Sequence, residues 1–289
     1  MVLTVAVVTA VLALAAIVAA MRGRRAFDRA VTTQVVALYR DCPDPTGTLH
    51  LEPAIAGLPE PARRYLRHAL TDAAPLVTSA RIHHRGTFRL RPGPWSPIDG
   101  EQYFSLCRPG FVWHATVSLA PLVWLEARDA LIDGHGTTRG TVGAALTVVA
   151  AQGPQLDVGA LMRWAAEMPW FPQAFLDRRH VQIEGLDADT MQVTVRDGTL
   201  AVSVRVRIDA AGDIVSLEAE RPREVHGEMV PTRWTGRYSN YRAVDGAYIP
   251  FAVEVSWHLP EGAFPYARFD VDHVEYGHPA RWEAPELRP

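Results

Sequence analysis

The chain opens on an apolar run that has no period. From Val2 to Met21 no residue is charged, and only Thr4 and Thr9 interrupt the Val, Leu, Ala and Ile. About 20 such residues in a helix match a hydrocarbon core roughly 30 Å thick. Residues 1–25 are therefore expected to form a transmembrane anchor. A helical period follows over Ala26–Tyr39, where Phe27, Ala30, Val31, Val35 and Leu38 recur at helical spacing until Asp41-Cys42-Pro43-Asp44-Pro45 ends it. A second short helix is expected from Leu58 to Leu70, with Pro61 in its first turn and Tyr65, Leu66, Ala69 and Leu70 as its apolar stripe. Arg63, Arg64 and Arg67 read as its solvated face.

From Ser79 the period changes to 2. Ile82, His84, Gly86, Phe88 and Leu90 share one face and Arg81, His83, Arg85, Thr87 and Arg89 the other. Gln102, Phe104 and Leu106, then Phe111, Trp113, Ala115 and Val117, continue the alternation, and further strands are expected over Leu122–Ile132 and Thr137–Val149. Alternation returns at Val193, at Val202–Ile208, at Val215–Ala219 and at Phe251–Leu259, with turns at Asp197-Gly198, Ala211-Gly212-Asp213 and Asp245-Gly246. Between the two series, Val158, Leu161, Met162, Trp164 and Ala165 mark a helix over Asp157–Met168, and the aromatic stretch Trp170–Leu176 follows it. That insertion is too apolar for solvent, so it must cover a sheet face.

The expected fold class is α+β, mainly antiparallel β. One curved, half-barrel-like sheet wraps an inserted helix, preceded by the transmembrane helix and two short helices. The expected divisions are an anchor over 1–25, a helical linker over 26–75, a sheet domain over 76–280 with its insert at 155–176, and a tail over 281–289.

Composition changes this picture little. The chain has 289 residues, 48% of them hydrophobic and 21% charged, and a net charge of −3, which excludes a disordered chain and offers no basic field for nucleic acid. Charge placement says more. No Lys or Arg precedes the apolar run, which disfavours a cleaved signal peptide ending at Val18-Ala19-Ala20. Arg22, Arg24, Arg25 and Arg29 follow it, and the positive-inside rule then places an inner-membrane, single-pass protein with its main domain in the cytoplasm. Cys42 and Cys107 match no metal or redox spacing and read as two isolated thiols.

Several segments carry a resemblance. Leu58-Pro59-Glu60-Pro61 leading into Arg64-Tyr65-Leu66, the Met168-Pro169-Trp170-Phe171-Pro172 stretch and Pro231-Thr232-Arg233-Trp234 are similar to those of a family of uncharacterised, membrane-associated bacterial proteins. The likeness spans roughly Leu58 to Tyr276. The resemblance implies a membrane-associated protein and no activity, because the family is a domain of unknown function. The strands–helix–strands order is loosely similar to the curved half-barrels of lipoprotein-carrier proteins, in architecture alone.

No constellation of catalytic residues emerges. His83 and His84 are adjacent on a strand, so they point to opposite faces and cannot share a metal. His84 reads as a hydrogen-bonded interior histidine. Glu101, Asp133 and His114 have no partner placed by the pattern, and no metal or cofactor is expected. The eight Trp residues are more suggestive. Trp113, Trp124, Trp164, Trp170, Trp234 and Trp257 are the residues expected to line a cavity between sheet and helix, with Arg233, Arg237, Arg221 and Arg223 as anionic-headgroup contacts at its rim. The expected function is a membrane-anchored module binding a lipid-like or other apolar small molecule. The alternatives are an enzyme using the same cavity, and a structural or partner-binding module. Nothing in the pattern sets an oligomeric state.

Overall fold

The computed structural model describes residues 2–43, 45–143 and 146–282, without the side chains of 2–10, 12–13 and 15–17. Helix α1 spans Val2–Tyr39, α2 Leu51–Ile55 and α3 Glu60–Ala69. The anchor expected over Val2–Met21 falls largely on side chains outside that description. Among the described residues no helix is long and apolar enough to cross a membrane. In α3, Pro59 caps and Pro61 sits in the first turn, while Ala62, Tyr65, Leu66 and Ala69 are buried. Arg63 pairs with Glu60 and Arg67 with Glu52, as a solvated face should.

Thirteen strands follow: β1 (Ser79–Phe88), β2 (Ser96–Ser105), β3 (Gly110–Ala120), β4 (Val123–Ile132), β5 (His135–Val142) and β6 (Leu146–Gln152), then β7 (Val181–Gly185), β8 (Thr190–Asp197), β9 (Leu200–Ile208), β10 (Ile214–Val225), β11 (Glu228–Val244), β12 (Ala247–Leu259) and β13 (Gly262–Tyr276). They form one antiparallel sheet in the order β6-β5-β4-β3-β2-β1-β13-β12-β11-β10-β9-β8-β7. The chain therefore makes two meanders, and the pairing of β1 with β13 joins them. The strand expected over Thr137–Val149 is in fact two, β5 and β6, because Gly143 takes φ +58° and reverses the chain.

The two edges, β6 and β7, are consecutive in sequence, and the insertion connects them. Helix α4 (Pro154–Glu167) leads into two 3-10 turns, Met168–Trp170 and Pro172–Leu176. A sheet this wide must curl to bury a face, and here it curls around α4, which touches strands of both wings. Asp157 in the first turn of α4 accepts a 2.6 Å hydrogen bond from the Gly136 N–H of β5. The approach is so close that a Cβ at Gly136 would lie 2.6 Å from the Leu156 carbonyl oxygen, so β5 has no room for a side chain there.

Both sheet faces are packed. The concave face buries Phe104, Phe111, Leu161, Trp164, Met168 and Phe171. On the convex face, Phe27, Val31, Val35, Leu38 and Tyr39 of α1 pack against Tyr103, Val112, Ala130 and Trp282. Trp282 and Arg281, which pairs with Asp28 at 3.2 Å, are thus part of the fold although a tail is expected there. The rest of that tail lies outside the described residues.

The cysteines correct the sequence reading. Cys42, just after α1, and Cys107, in the β2–β3 turn, form a disulfide across 65 residues. Folding brings together two thiols that spacing alone leaves apart. A loop of that length corresponds to about 4 kcal/mol of stability in the chain-entropy model. Cys42→Ser, or full reduction, is expected to lower stability by up to that amount in chemical denaturation, and thiol titration of the unreduced, unfolded chain should find no free cysteine.

Candidate functional site

Strand register assembles the candidate site in rows. Gln102 faces Trp113, Trp113 faces Asp129, and Asp129 faces Thr138, so one row crosses β2, β3, β4 and β5 on the concave side. Arg163 of α4 reaches over this row. Its Nη1 meets Asp129 at 2.8 Å, its Nε meets Glu167 one helical turn on at 2.9 Å, and its Nη2 donates to Gln102 Oε1 at 3.2 Å. Gln102 in turn donates to Glu167 Oε2 at 2.6 Å, and the Thr138 hydroxyl donates to Asp129. The guanidinium also lies over the rings of Phe111 and Trp113, 4.9 and 4.8 Å from their centroids.

These contacts decide the charges. Burial opposes the Arg163 charge, but Glu167 and Asp129 outweigh it and hold the guanidinium above its ordinary value. Burial pushes Glu167 up, against the pull of Arg163 and Gln102. The cluster is hydrogen-bonded on every side, as buried polar groups must be.

Two residues along each strand comes a row of small side chains: Gly100, Ala115, Ala127 and Gly140, beside His84. A Cβ at Gly100 would come within 2.8 Å of the His84 ring and 3.0 Å of Ala115 Cβ. The His84 ring fills the Gly100 end of this row, and Ala127 and Gly140 border open space. The space left is a cavity of about 380 Å³, bounded on this wing by Trp113, Val117, Leu125, Ala127 and Gly140. On the other wing Trp234, Gly236 and Tyr238 of β11, Val253, Val255 and Trp257 of β12, and Ala267 and Phe269 of β13 close it. A bulge opposite Val255–Ser256 inserts one extra residue in β13, and both Tyr266 and Ala267 face the cavity as a result. The Tyr266 hydroxyl accepts from Trp234 Nε1 at 3.0 Å.

His84 lies just behind Trp113. Its Nε2 accepts from the Trp113 indole N–H at 2.9 Å, while its buried Nδ1 has no partner among the described residues. Burial, with Arg163 and His83 adding like charge, pushes it down to about 3, so it is a neutral interior residue, as the alternation indicates.

Of the residues expected at the cavity and its rim, Trp113, Trp170, Trp234, Trp257, Arg221 and Arg223 line it. The others do not. Trp124 follows the opposite parity to Leu125 and donates to Glu126 on the convex face at 3.1 Å. Trp164 is core, buried against Phe171 with its N–H on the Ser105 carbonyl. Arg233 and Arg237 alternate with Trp234, Gly236 and Tyr238 and point outward, and Arg233 is paired with Glu218 at 2.5 Å. His114 and Glu101 also lie on the convex side, bonded to Glu126 and to the Tyr103 hydroxyl. The arginines that face inward are Arg163, Arg221 and Arg223, with Arg89 and Arg139 nearer the opening. One signal for the missed pair was available: Arg163 and Glu167 are an i, i+4 ion pair on an otherwise apolar helix. Among the described residues no group of three His, Cys, Asp or Glu side chains could hold a metal ion.

The chain belongs to a family of unknown function, DUF6544, whose model matches residues 49–269. That span contains the three motifs over 58–66, 168–172 and 231–234, and it bears out the resemblance read from them. No curated protein matches. Among solved structures, the chain is similar to a LolA superfamily protein from Nitrosomonas europaea at 12% identity and a TM-score of 0.40, over 72% of this chain and 89% of that one. It is also similar to a beta-barrel-like protein of the domain of unknown function DUF1849 from Brucella abortus, at 12% identity and a TM-score of 0.27, over 71% of this chain and 99% of the other.

Removing Arg163 should expose how much the cluster matters. Arg163→Met leaves the buried Glu167 and the half-buried Asp129 without their cation, which is expected to cost about 3–5 kcal/mol. Arg163→Met combined with Glu167→Gln should recover part of that loss in the same denaturation series, and full additivity of the two changes would refute the coupling.

Proposed function

We propose that this protein is a membrane-tethered module that holds a lipid-like or other apolar ligand in the cavity between the sheet and α4. The observation that carries the reading is the cavity itself, about 380 Å³ open among aromatic and aliphatic walls, with Ala127 and Gly140 of the small-residue row in its lining. That volume lies within the range of roughly 300–1,000 Å³ typical of small-ligand sites, whereas an ordinary core is filled to crystal density. An acyl chain entering it gains roughly 0.8 kcal/mol per buried methylene.

The surroundings of the opening support a membrane as the ligand's source. In an antiparallel sheet the end of β1 and the β3–β4, β5–β6 and β10–β11 turns all lie at one end. That end displays Leu90, Leu122, Leu146, Val148, Met229 and Val230, with Leu90 74% and Leu122 94% exposed. Leu122 sits at φ +62°, a conformation that costs a side-chain-bearing residue energy, and it points into solvent. Leu90, Val148 and Val149 also line the mouth of the cavity. Large apolar side chains gathered this way mark an interaction surface. Helix α1 leads to the same end: Leu38 lies beside Gly110 at the start of β3, and Phe27 packs on His114 further along it, 5.0 Å between ring centroids.

Binding is favoured over catalysis because the two carboxylates facing the cavity, Asp129 and Glu167, are both engaged by Arg163. The Cys42–Cys107 disulfide supports an oxidising compartment for the main domain, against the cytoplasmic side expected from the Arg cluster. A reporter fused after Pro289 should therefore be active only when it functions outside the cytoplasm. Activity confined to a cytoplasmic reporter would reverse this orientation.

The ligand reading is tested on the full chain purified gently in mild detergent. Native mass spectrometry is expected to retain an added mass of lipid size, and added fatty acid or phospholipid should quench Trp fluorescence. Ala127→Leu, which fills the cavity from the small-residue row, should abolish both with little change in stability. A wild-type chain that retains nothing and shows no quenching would leave a partner-binding scaffold instead.

A further inference from the structure

The cavity is unevenly charged. Five arginines face it, Arg89, Arg139, Arg163, Arg221 and Arg223, against two carboxylates, Asp129 and Glu167. This excess of positive charge lies in a chain whose net charge is −3. Arg163 already holds both carboxylates. Arg89 donates to the Pro265 and Gly93 carbonyls, and Arg139 to the Thr147 hydroxyl, both near the opening.

Arg221 is different. Its Nε donates to the Gly159 carbonyl of α4 at 3.2 Å, and its guanidinium lies over Trp234 and Trp257, 4.8 and 5.8 Å from the ring centroids. Among the described residues no carboxylate lies within ion-pair distance of it, and its two terminal nitrogens have no protein acceptor. Burial pushes the guanidinium below its ordinary value; Tyr266 opposes this, Arg163 adds to it, and Asp129 and Glu167 attract it more weakly. Buried charges in proteins are as a rule paired. A guanidinium laid over two neighbouring indole rings, one edge bonded and one edge open to an apolar cavity, is a preformed fork for a planar or tetrahedral oxyanion. On β10 the inward positions run from Leu217 and Ala219, both buried, to Arg221 and Arg223, both half-buried. The fork thus sits between the deep apolar end and the mouth.

We propose that the ligand is an anionic amphiphile, one apolar chain ending in a carboxylate or phosphate, and that Arg221 is the counter-ion of its acid group. This rests on the reading of the cavity as a ligand site. The acid group seats on Arg221, and the chain lies against Trp113, Val253 and Phe269 beyond it.

The test compares three probes of equal chain length, decanoate, decyl phosphate and decanol, each below its micellar concentration. Each is titrated into the full chain, with Trp fluorescence and calorimetry as readouts. The wild type is expected to bind at least one of the two acids ten times or more tighter than the alcohol, and whichever acid binds tighter identifies the headgroup class. Arg221→Gln should bring that acid to the level of the alcohol and leave the alcohol unchanged. Arg221→Lys, which keeps the charge, should retain part of the preference and serves if Arg221→Gln fails to fold. Arg233→Gln, outside the cavity, should change neither affinity. Equal binding of acids and alcohol by the wild type, or a preference that survives Arg221→Gln, overturns this inference while leaving the cavity reading intact. Binding of none of the three overturns the cavity reading itself, and this inference with it.

Discussion

A thirteen-stranded antiparallel sheet has an apolar face far larger than any neighbouring element could cover if it lay flat. The fold depends on how that face is buried. The insertion between β6 and β7 brings one fourteen-residue helix into the hollow, and the sheet bends until both wings meet it. Contact is enforced at polar points, among them Asp157 on the Gly136 N–H, Arg163 on the Gln102–Asp129 row and Arg221 on the Gly159 carbonyl. Hydrophobic burial supplies the drive, but it has no direction. The directional bonds set the height of the helix above the sheet. Because that height is fixed at the Arg163 row, Ala127 and Gly140 in the next row cannot close the gap behind it.

Much of this was legible in the chain. Period-2 alternation located most strands, the apolar stretch Asp157–Leu176 announced the element the sheet wraps, and Pro61 marked the start of α3. What escaped was whatever depends on register or on long-range pairing. The β5–β6 reversal was read as a single strand because Gly143 is flanked by residues as apolar as a strand interior. Cys42 and Cys107 meet only once α1 lies along the convex face. The small-residue row is invisible in one dimension, since Gly100, Ala115, Ala127 and Gly140 are scattered over forty-one positions and become neighbours only through three strand pairings.

The candidate site divides along the same line. Parity assigned Trp113 and Trp257 to the inner face correctly, and it would have excluded Trp124 and Arg233 had it been applied strictly, because each is adjacent to an inward residue. Composition drew attention to tryptophan, whereas the polar groups that shape the cavity, Arg163, Glu167 and Arg221, are ordinary in frequency. Their distinction is geometric. Two of them satisfy each other and one is left with an open edge.

The disulfide closes a covalent ring of chain around α2, α3, β1 and β2, and its first member is the residue that leaves α1 for the rest of the protein. Any pull on the N-terminal helix arrives at Cys42. Without the bridge, that force would be carried by the contacts of Phe27, Val31 and Val35 on the sheet, which can peel apart one at a time, and then by the segment leading to α2. With it, the load passes directly into the β2–β3 turn and is shared by strands loaded along their length. Such strands give way only when several hydrogen bonds break at once. The N-terminal helix is thus mechanically continuous with the β2–β3 hairpin, and a pull on it would leave the curvature around α4 undisturbed.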